Sequence, residues 1–332
     1  MLLNDRVKSV ALIILLFLFS NLLVGQQLEF DGFIQNWISY SKQGSGFNIR
    51  RVMLKSYGKI NPEVTWYAQY GWNQQKPALM DAALQYSPDK LLNIKVGRFS
   101  VPGTKFGGLT SSSQLTFIER PMIVKKWNSF NGYTSYRSVG LQIGGKITNF
   151  TYKTMISNNQ AETLYTPGIA NPTYSEAETL RFIGRVEYKW GVLNAGAFYT
   201  SPTRKDPPVK SFGGDLIISK SPLKFKTGCI QGERKPNNAK ITYSGLITEL
   251  SWNFANLQPT IRYDIYNPVS EGDEAGEVDL YQNITFGLNY YPIENIKLQA
   301  NYLLRREKMI GSLDEYDNNL LYFNIQYSCG DN

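Results

Sequence analysis

Sixteen stretches of this sequence alternate apolar and polar side chains with a period of two, and the links between them tend to alternate short and long. From Leu180 to Trp190, Phe182, Gly184, Val186, Tyr188 and Trp190 share one face, while Arg181, Ile183, Arg185, Glu187 and Lys189 share the other. A helix would scatter both sets around its circumference, whereas a strand sorts them. Ile296 to Arg305 and Val64 to Trp72 repeat the pattern. It predicts strands near 30–41, 48–60, 63–73, 77–87, 91–99, 137–147, 149–158 and 179–190. The second half adds 192–201, 210–220, 222–234, 241–252, 256–267, 280–291, 296–307 and 318–328. Tight links such as Asn61-Pro62, Thr148, Gly191 and Ser221 alternate with long ones at 100–136, 159–178, 202–209, 268–279 and 308–317.

A soluble β-sandwich gives no reason for such alternation. A closed barrel in a bacterial outer membrane does, with tight turns at one rim, long loops at the other and an even strand number. Closure also removes the unpaired edges that lipid does not tolerate. After Gly25 no strictly apolar run exceeds four residues, Leu320 to Phe323, which excludes membrane-spanning helices. The expected fold is therefore all-β, a transmembrane antiparallel barrel of about 16 strands with a long third external loop. Aromatics make up 14% of the chain, and Trp72, Trp127, Trp190, Tyr199, Trp252, Tyr266 and Tyr290 fall near segment ends, where interfacial girdles are expected. Residues 1–25 read as a cleaved signal peptide. Arg6 and Lys8 precede the apolar run Val10 to Phe19, and Gly25 offers a cleavage point. Residues 26–332 then form one barrel domain, destined for the outer membrane of a Gram-negative bacterium.

The sequence contains no histidine. Ser-His-Asp hydrolysis, HExxH proteolysis and histidine-ligated zinc are thereby excluded, which argues against an enzyme, and no cofactor is implied. Cys229 and Cys329 are too few for a disulfide framework but allow one bridge. The run Gly140 to Ile147 approaches a phosphate-binding loop, yet Ile147 stands where Ser or Thr is required and the segment alternates like a strand. The acidic stretch of Glu271, Asp273, Glu274, Glu277 and Asp279 lacks calcium-loop spacing and suits a solvated outer loop facing lipopolysaccharide. Net charge is +8, with the basic residues dispersed over the strands rather than clustered, which does not suit nucleic-acid binding.

Setting the apolar series outward turns Arg51, Lys55, Lys59, Lys95, Lys146, Lys153, Arg181, Arg185, Lys189, Lys224, Lys226, Arg262, Lys297 and Arg305 into the lumen. Fewer acids join them: Asp81, Glu187, Asp215, Glu249 and Asp264. Excess basic charge in a narrow pore concentrates anions and repels cations. The link 100–136 is too long for an ordinary loop. Its glycines, Thr110, Ser111, Ser112, Ser113 and Arg120 suit a constriction that strips water from an anion.

Four stretches, Ile49 to Lys55, Asp81 to Tyr86, Val96 to Pro102 and Thr110 to Arg120, together resemble the phosphate-selective porin O and P family over roughly residues 30–130. The resemblance implies a sixteen-stranded, trimeric outer-membrane porin whose third external loop folds inward and whose arginines and lysines guide oxyanions such as phosphate. It also implies that Arg120 and Thr110 to Ser113 sit in the constriction. One departure is the end of the chain, where Tyr327-Ser328 is followed by Cys329-Gly330-Asp331-Asn332 instead of the terminal aromatic usual in such barrels. The alternative reading is a non-conducting barrel serving as adhesin or scaffold.

Overall fold

The computed structural model describes residues 28–330, apart from 43, 74–75, 159–179, 202–208, 235–239, 272–278, 310–314 and 318. The expected signal peptide, the link 159–178 and the middle of the acidic stretch lie outside the described residues. One antiparallel sheet contains β1 (Leu28–Ser41), β2 (Gly44–Lys59), β3 (Val64–Asn73), β4 (Lys76–Tyr86), β5 (Asn93–Ser100), β6 (Arg137–Ile147), β7 (Phe150–Asn158) and β8 (Leu180–Trp190). It continues through β9 (Leu193–Thr200), β10 (Val209–Lys220), β11 (Leu223–Arg234), β12 (Lys240–Trp252) and β13 (Leu257–Glu271). The last members are β14 (Asp279–Ile293), β15 (Ile296–Met309), β16 (Glu315–Asp317) and β17 (Leu320–Cys329).

From β1 to β15 each strand pairs with the next, β15 pairs with β17, and β17 pairs with β1 from Gly32↔Cys329 to Tyr40↔Leu321, which closes the sheet. The three-residue β16 only extends the edge of β15, which itself pairs with β17. Sixteen strands therefore build the wall, all within four residues of the expected boundaries. The tight turns use left-handed backbone where two residues must reverse the chain, at Thr148 (φ 53°) and Gly191 (φ 54°).

The two faces sort as the alternation requires. On β8, Phe182, Val186, Tyr188 and Trp190 are exposed outward, while Arg181, Ile183, Arg185 and Glu187 are buried. Large apolar side chains cover the outside around the barrel, for example Leu250, Ile261, Phe286 and Ile325. Two bulges break the rule locally. Gln35 pairs with Arg51 and Asn36 with Ile49, so Arg50 is an extra residue and turns inward beside Arg51. Gln69 pairs with Asp81 and Tyr70 with Leu79, so Met80 is likewise extra and joins Asp81 on the inner face.

Residues 101–136, between β5 and β6, fold against the inner wall. They carry α1 (Met122–Phe130), whose Ile123, Val124 and Trp127 are buried. Pro121 precedes the helix, Asn131 closes it through its side-chain amide on the Trp127 carbonyl (2.8 Å), and Asp264 of β13 accepts from the Met122 N–H at 3.0 Å. The wall supplies an acceptor for one of the orphan donors that begin every helix. Beneath this segment the inner face carries an apolar cluster among its polar residues. Met155, Ile183, Phe198, Ile230, Tyr243 and Ile247 pack with Val101, Phe106, Ile123, Val124, Trp127 and Tyr133 as the core of the molecule.

Three sequence expectations are corrected here. Trp127 and Tyr266 are not girdle residues: Trp127 lies on α1, and both belong to the inner cluster at 1% and 2% exposure. Trp72, Trp190, Tyr199, Trp252 and Tyr290 do lie exposed on the outside. Cys229 and Cys329 are both free, so the bridge does not form.

Candidate permeation site

Polar contacts tie residues 101–136 to one side of the lumen. Arg185 donates to the Gly103 carbonyl (2.7 Å), Asp215 accepts from the Lys105 N–H (3.0 Å), and Lys105 Nζ reaches Glu187 at 2.7 Å. Trp127 Nε1 donates to Ser211, the Ile118 N–H donates to Asn301, and Lys297 Nζ donates to the carbonyls of Ser113 and Leu115. These partners sit on β8, β10 and β15. At the seam, Gln35 donates to the Ser112 carbonyl, and Arg50 pairs with Glu119 at 2.6 Å.

Open space lies in the opposite half of the lumen. A cavity of about 650 Å³ runs between the inner faces of β1–β7 and the edge of the segment formed by Gly108–Gln114 and Ser135–Arg137. Six cations line it (Arg51, Lys55, Lys95, Arg120, Arg137 and Lys153) against two acids, Asp31 and Asp81. Both acids are engaged: Arg137 grips Asp81 with two bonds of 3.0 Å, and Lys55 reaches Asp31 at 3.2 Å. Arg51, Lys95 and Lys153 have no ion pair among the described residues, and Arg51 Nη1 is buried without a hydrogen-bond partner there. Lys95 lies over the rings of Tyr67 and Phe99, 5.4 Å from each. Uncompensated cations in a water-filled but low-dielectric-walled space raise the local concentration of anions.

The structure divides the residues singled out from the sequence into three groups. Arg51, Lys55, Lys95, Thr110, Ser111, Ser112, Ser113 and Arg120 converge on this cavity. Arg120, however, spends its guanidinium on the carbonyls of Phe106, Gly107 and Thr110 and stacks on Tyr136. It contributes positive charge and holds the segment's fold, and burial lowers its pKa to about 10. A second group holds the segment to the wall. Arg181 binds the Asn131 carbonyl and side chain; Arg185 is bidentate to Asp215 and also bonds Glu187. Arg262 binds Asp264 and the Glu119 carbonyl, Lys226 binds Thr116 and Glu249, and Lys297 belongs here too. The third group stands apart. Lys224 lines a smaller cavity of about 380 Å³ against β10 and β11, Lys189 is exposed near the end of β8, and Arg305 is half-buried on β15.

Sequence reasoning missed Arg50 because strict alternation admits only one of two adjacent arginines, and Arg137 because it opens a strand after the long link. Glu119 lies in the long link, where no strand periodicity marks it. Burial alone would raise its pKa, but Lys125, Arg50 and Arg51 together hold it well below the usual carboxylate range. No group of three or more metal-ligating side chains occurs among the described residues.

A closed sixteen-stranded wall, apolar outside and polar within, with an inward-folded segment narrowing its bore, defines a porin-type channel of the outer membrane. Residues 26–173 match the family model described as Phosphate-selective porin O and P, so the resemblance seen in the N-terminal strands is borne out. No curated protein sequence matches. Among solved structures, an anion-selective porin from Comamonas acidovorans superposes with a TM-score of 0.69 at 12% identity, covering 92% of this chain and 100% of that one. The trimer form of OmpT from Vibrio cholerae gives 0.66 at 10% identity, with 92% and 99% covered. The outer membrane channel DcaP of Acinetobacter baumannii gives 0.65 at 12%, with 92% and 97% covered. Family match and fold are those of channels, not enzymes.

Proposed function

We propose that the chain, exported by a signal peptide at 1–25, forms a homotrimeric, anion-preferring diffusion channel for phosphate or similar small oxyanions. One observation carries this reading: Arg51, Lys95 and Lys153 face a single open cavity with no acid paired to them among the described residues. The hydroxyls of Ser111, Ser112 and Ser113 border the same space as neutral donors for an anion shedding water, while Thr110 spends its own on the Lys105 carbonyl. The family match at 26–173 and the anion-selective and trimeric neighbours are consistent with it.

Purified protein in a planar bilayer under a potassium chloride gradient tests the reading. The zero-current potential is expected to lie toward the chloride equilibrium potential, and millimolar phosphate is expected to reduce the chloride current. Arg51→Gln is expected to weaken that block. Cation preference would refute the reading, and folded protein without conductance would favour the scaffold alternative.

A further inference from the structure

An apolar belt interrupts the polar inner face within the cavity. Phe33 on β1 lies opposite Met53 on β2, and Met53 lies opposite Gly71 on β3. Gly71 has no side chain to fill its inward position. A β-carbon there would meet Met53 Sδ at 2.5 Å and Met80 Cγ at 2.8 Å, so the two methionines occupy its place. Phe33, Met53 and Met80 thus form a continuous cluster across four strands, and all three line the cavity. The apolar residues on the opposite wall have a clear use, since they seat the inward segment. This belt forms a separate cluster that contains no residue of that segment.

The register puts charge on both sides of the belt. One step along the strands on one side is the pair Gln35↔Arg51; one step on the other side is Asp31↔Lys55, continued by Lys55↔Gln69. A cavity meant only for a hydrated inorganic ion gains nothing from a belt of thioether and phenyl groups. An ion with an apolar body gains on both counts, because methionine adapts to irregular apolar shapes while the flanking cation holds the head.

We infer that the cavity selects amphiphilic organic monoanions, an apolar body bearing one carboxylate or phosphate head. The body lies on Phe33, Met53 and Met80, and the head lies at Arg51 or Lys55. This inference rests on the anion-channel reading.

The test is block of chloride current in planar bilayers at pH 7 by acetate, hexanoate and inorganic phosphate at matched ionic strength. Burial of about two of hexanoate's four extra methylenes corresponds to roughly tenfold tighter binding. Hexanoate is therefore expected to half-block at a concentration about tenfold below acetate, and below phosphate. Met53→Gln and Met80→Gln are expected to bring the half-block concentrations of hexanoate and acetate together, which also separates binding in the pore from partition into the bilayer. The wild-type chain-length series stands alone if either variant fails to assemble. Equal block by acetate and hexanoate, or a hexanoate preference that survives both substitutions, would overturn the inference and leave the anion channel standing. Absence of anion-preferring conductance in the wild type would overturn both.

Discussion

Replacing Trp127 by Ala should release residues 101–136 from the wall without opening the barrel. The indole is 1% exposed, packs 5.4 Å from the rings of both Tyr133 and Phe198, and donates from Nε1 to Ser211 at 2.9 Å. It also fills the space beside Gly103, where a β-carbon would collide with the ring. Truncating a fully buried tryptophan costs about 3–5 kcal/mol, and leaving the Ser211 hydroxyl without its donor adds to that. None of this loss falls on the strand ladders, so it is charged to docking of the segment. The docked-to-undocked equilibrium should shift by roughly 10²–10⁴-fold. Amide hydrogen exchange read by mass spectrometry over residues 122–130 should accelerate by that factor, because exchange there follows local opening. Single-channel current should become noisier and its mean conductance should rise as the bore widens. Trp190→Ala, which removes an outward ring at 71% exposure, is the control and should leave exchange in α1 unchanged. Equal exchange in α1 for wild type and Trp127→Ala would refute the docking account. So would acceleration spread evenly over the strands.

Other consequences follow from the same contacts. Arg185→Met strands Asp215, whose side chain is wholly buried, and should destabilise docking by about 3–5 kcal/mol; adding Asp215→Asn should recover part of that in a double-mutant cycle measured by the same exchange. Because the folded pKa of Glu119 is depressed, its pairing with Arg50 and Lys125 contributes fully above the ordinary carboxylate range near about 4 and is lost as pH falls below it. Conductance noise should therefore grow only in strongly acidic solution for the wild type, whereas Glu119→Gln should be noisy at pH 7. Anion preference should weaken as salt rises from about 0.1 to 1 M, where the screening length falls from about 10 Å to about 3 Å. The residual preference at high salt should be smaller in Arg51→Gln than in Lys189→Gln. Reduction should leave the thermal transition unchanged, since Cys229 and Cys329 are not bridged.

The wall was legible because each strand obeys one local rule, outward apolar and inward polar, and because turn lengths report which rim they occupy. Legibility failed where tertiary contact overrides that rule. Ile183 falls in the inner series between Arg181 and Arg185, and its presence there, with Met155, Ile230 and Ile247, marks the seat of the inward segment. An apolar residue in the wet series is thus the usable signal. The bulge at Arg50 depends on how Gln35 and Asn36 pair across β1, which no single strand encodes. Nor did periodicity separate the cations that face open space, such as Arg51 and Lys95, from those bound to the segment, such as Arg181 and Lys297. All four occupy equivalent inward positions, and only the path of residues 101–136 tells them apart.

Ions are expected to pass along the β1–β7 half of the bore and not past β13–β15, where residues 101–136 bond to Asp264, Asn289 and Asn301. Cysteine accessibility tests this most directly, in a background carrying Cys229→Ser and Cys329→Ser. A negatively charged methanethiosulfonate applied during single-channel recording should cut the current stepwise in Lys95→Cys, which lines the cavity. It should leave the current unaltered in Asn289→Cys, where the native side chain is fully buried against the Thr116 carbonyl. Stepwise block at 289 with none at 95 would contradict the account.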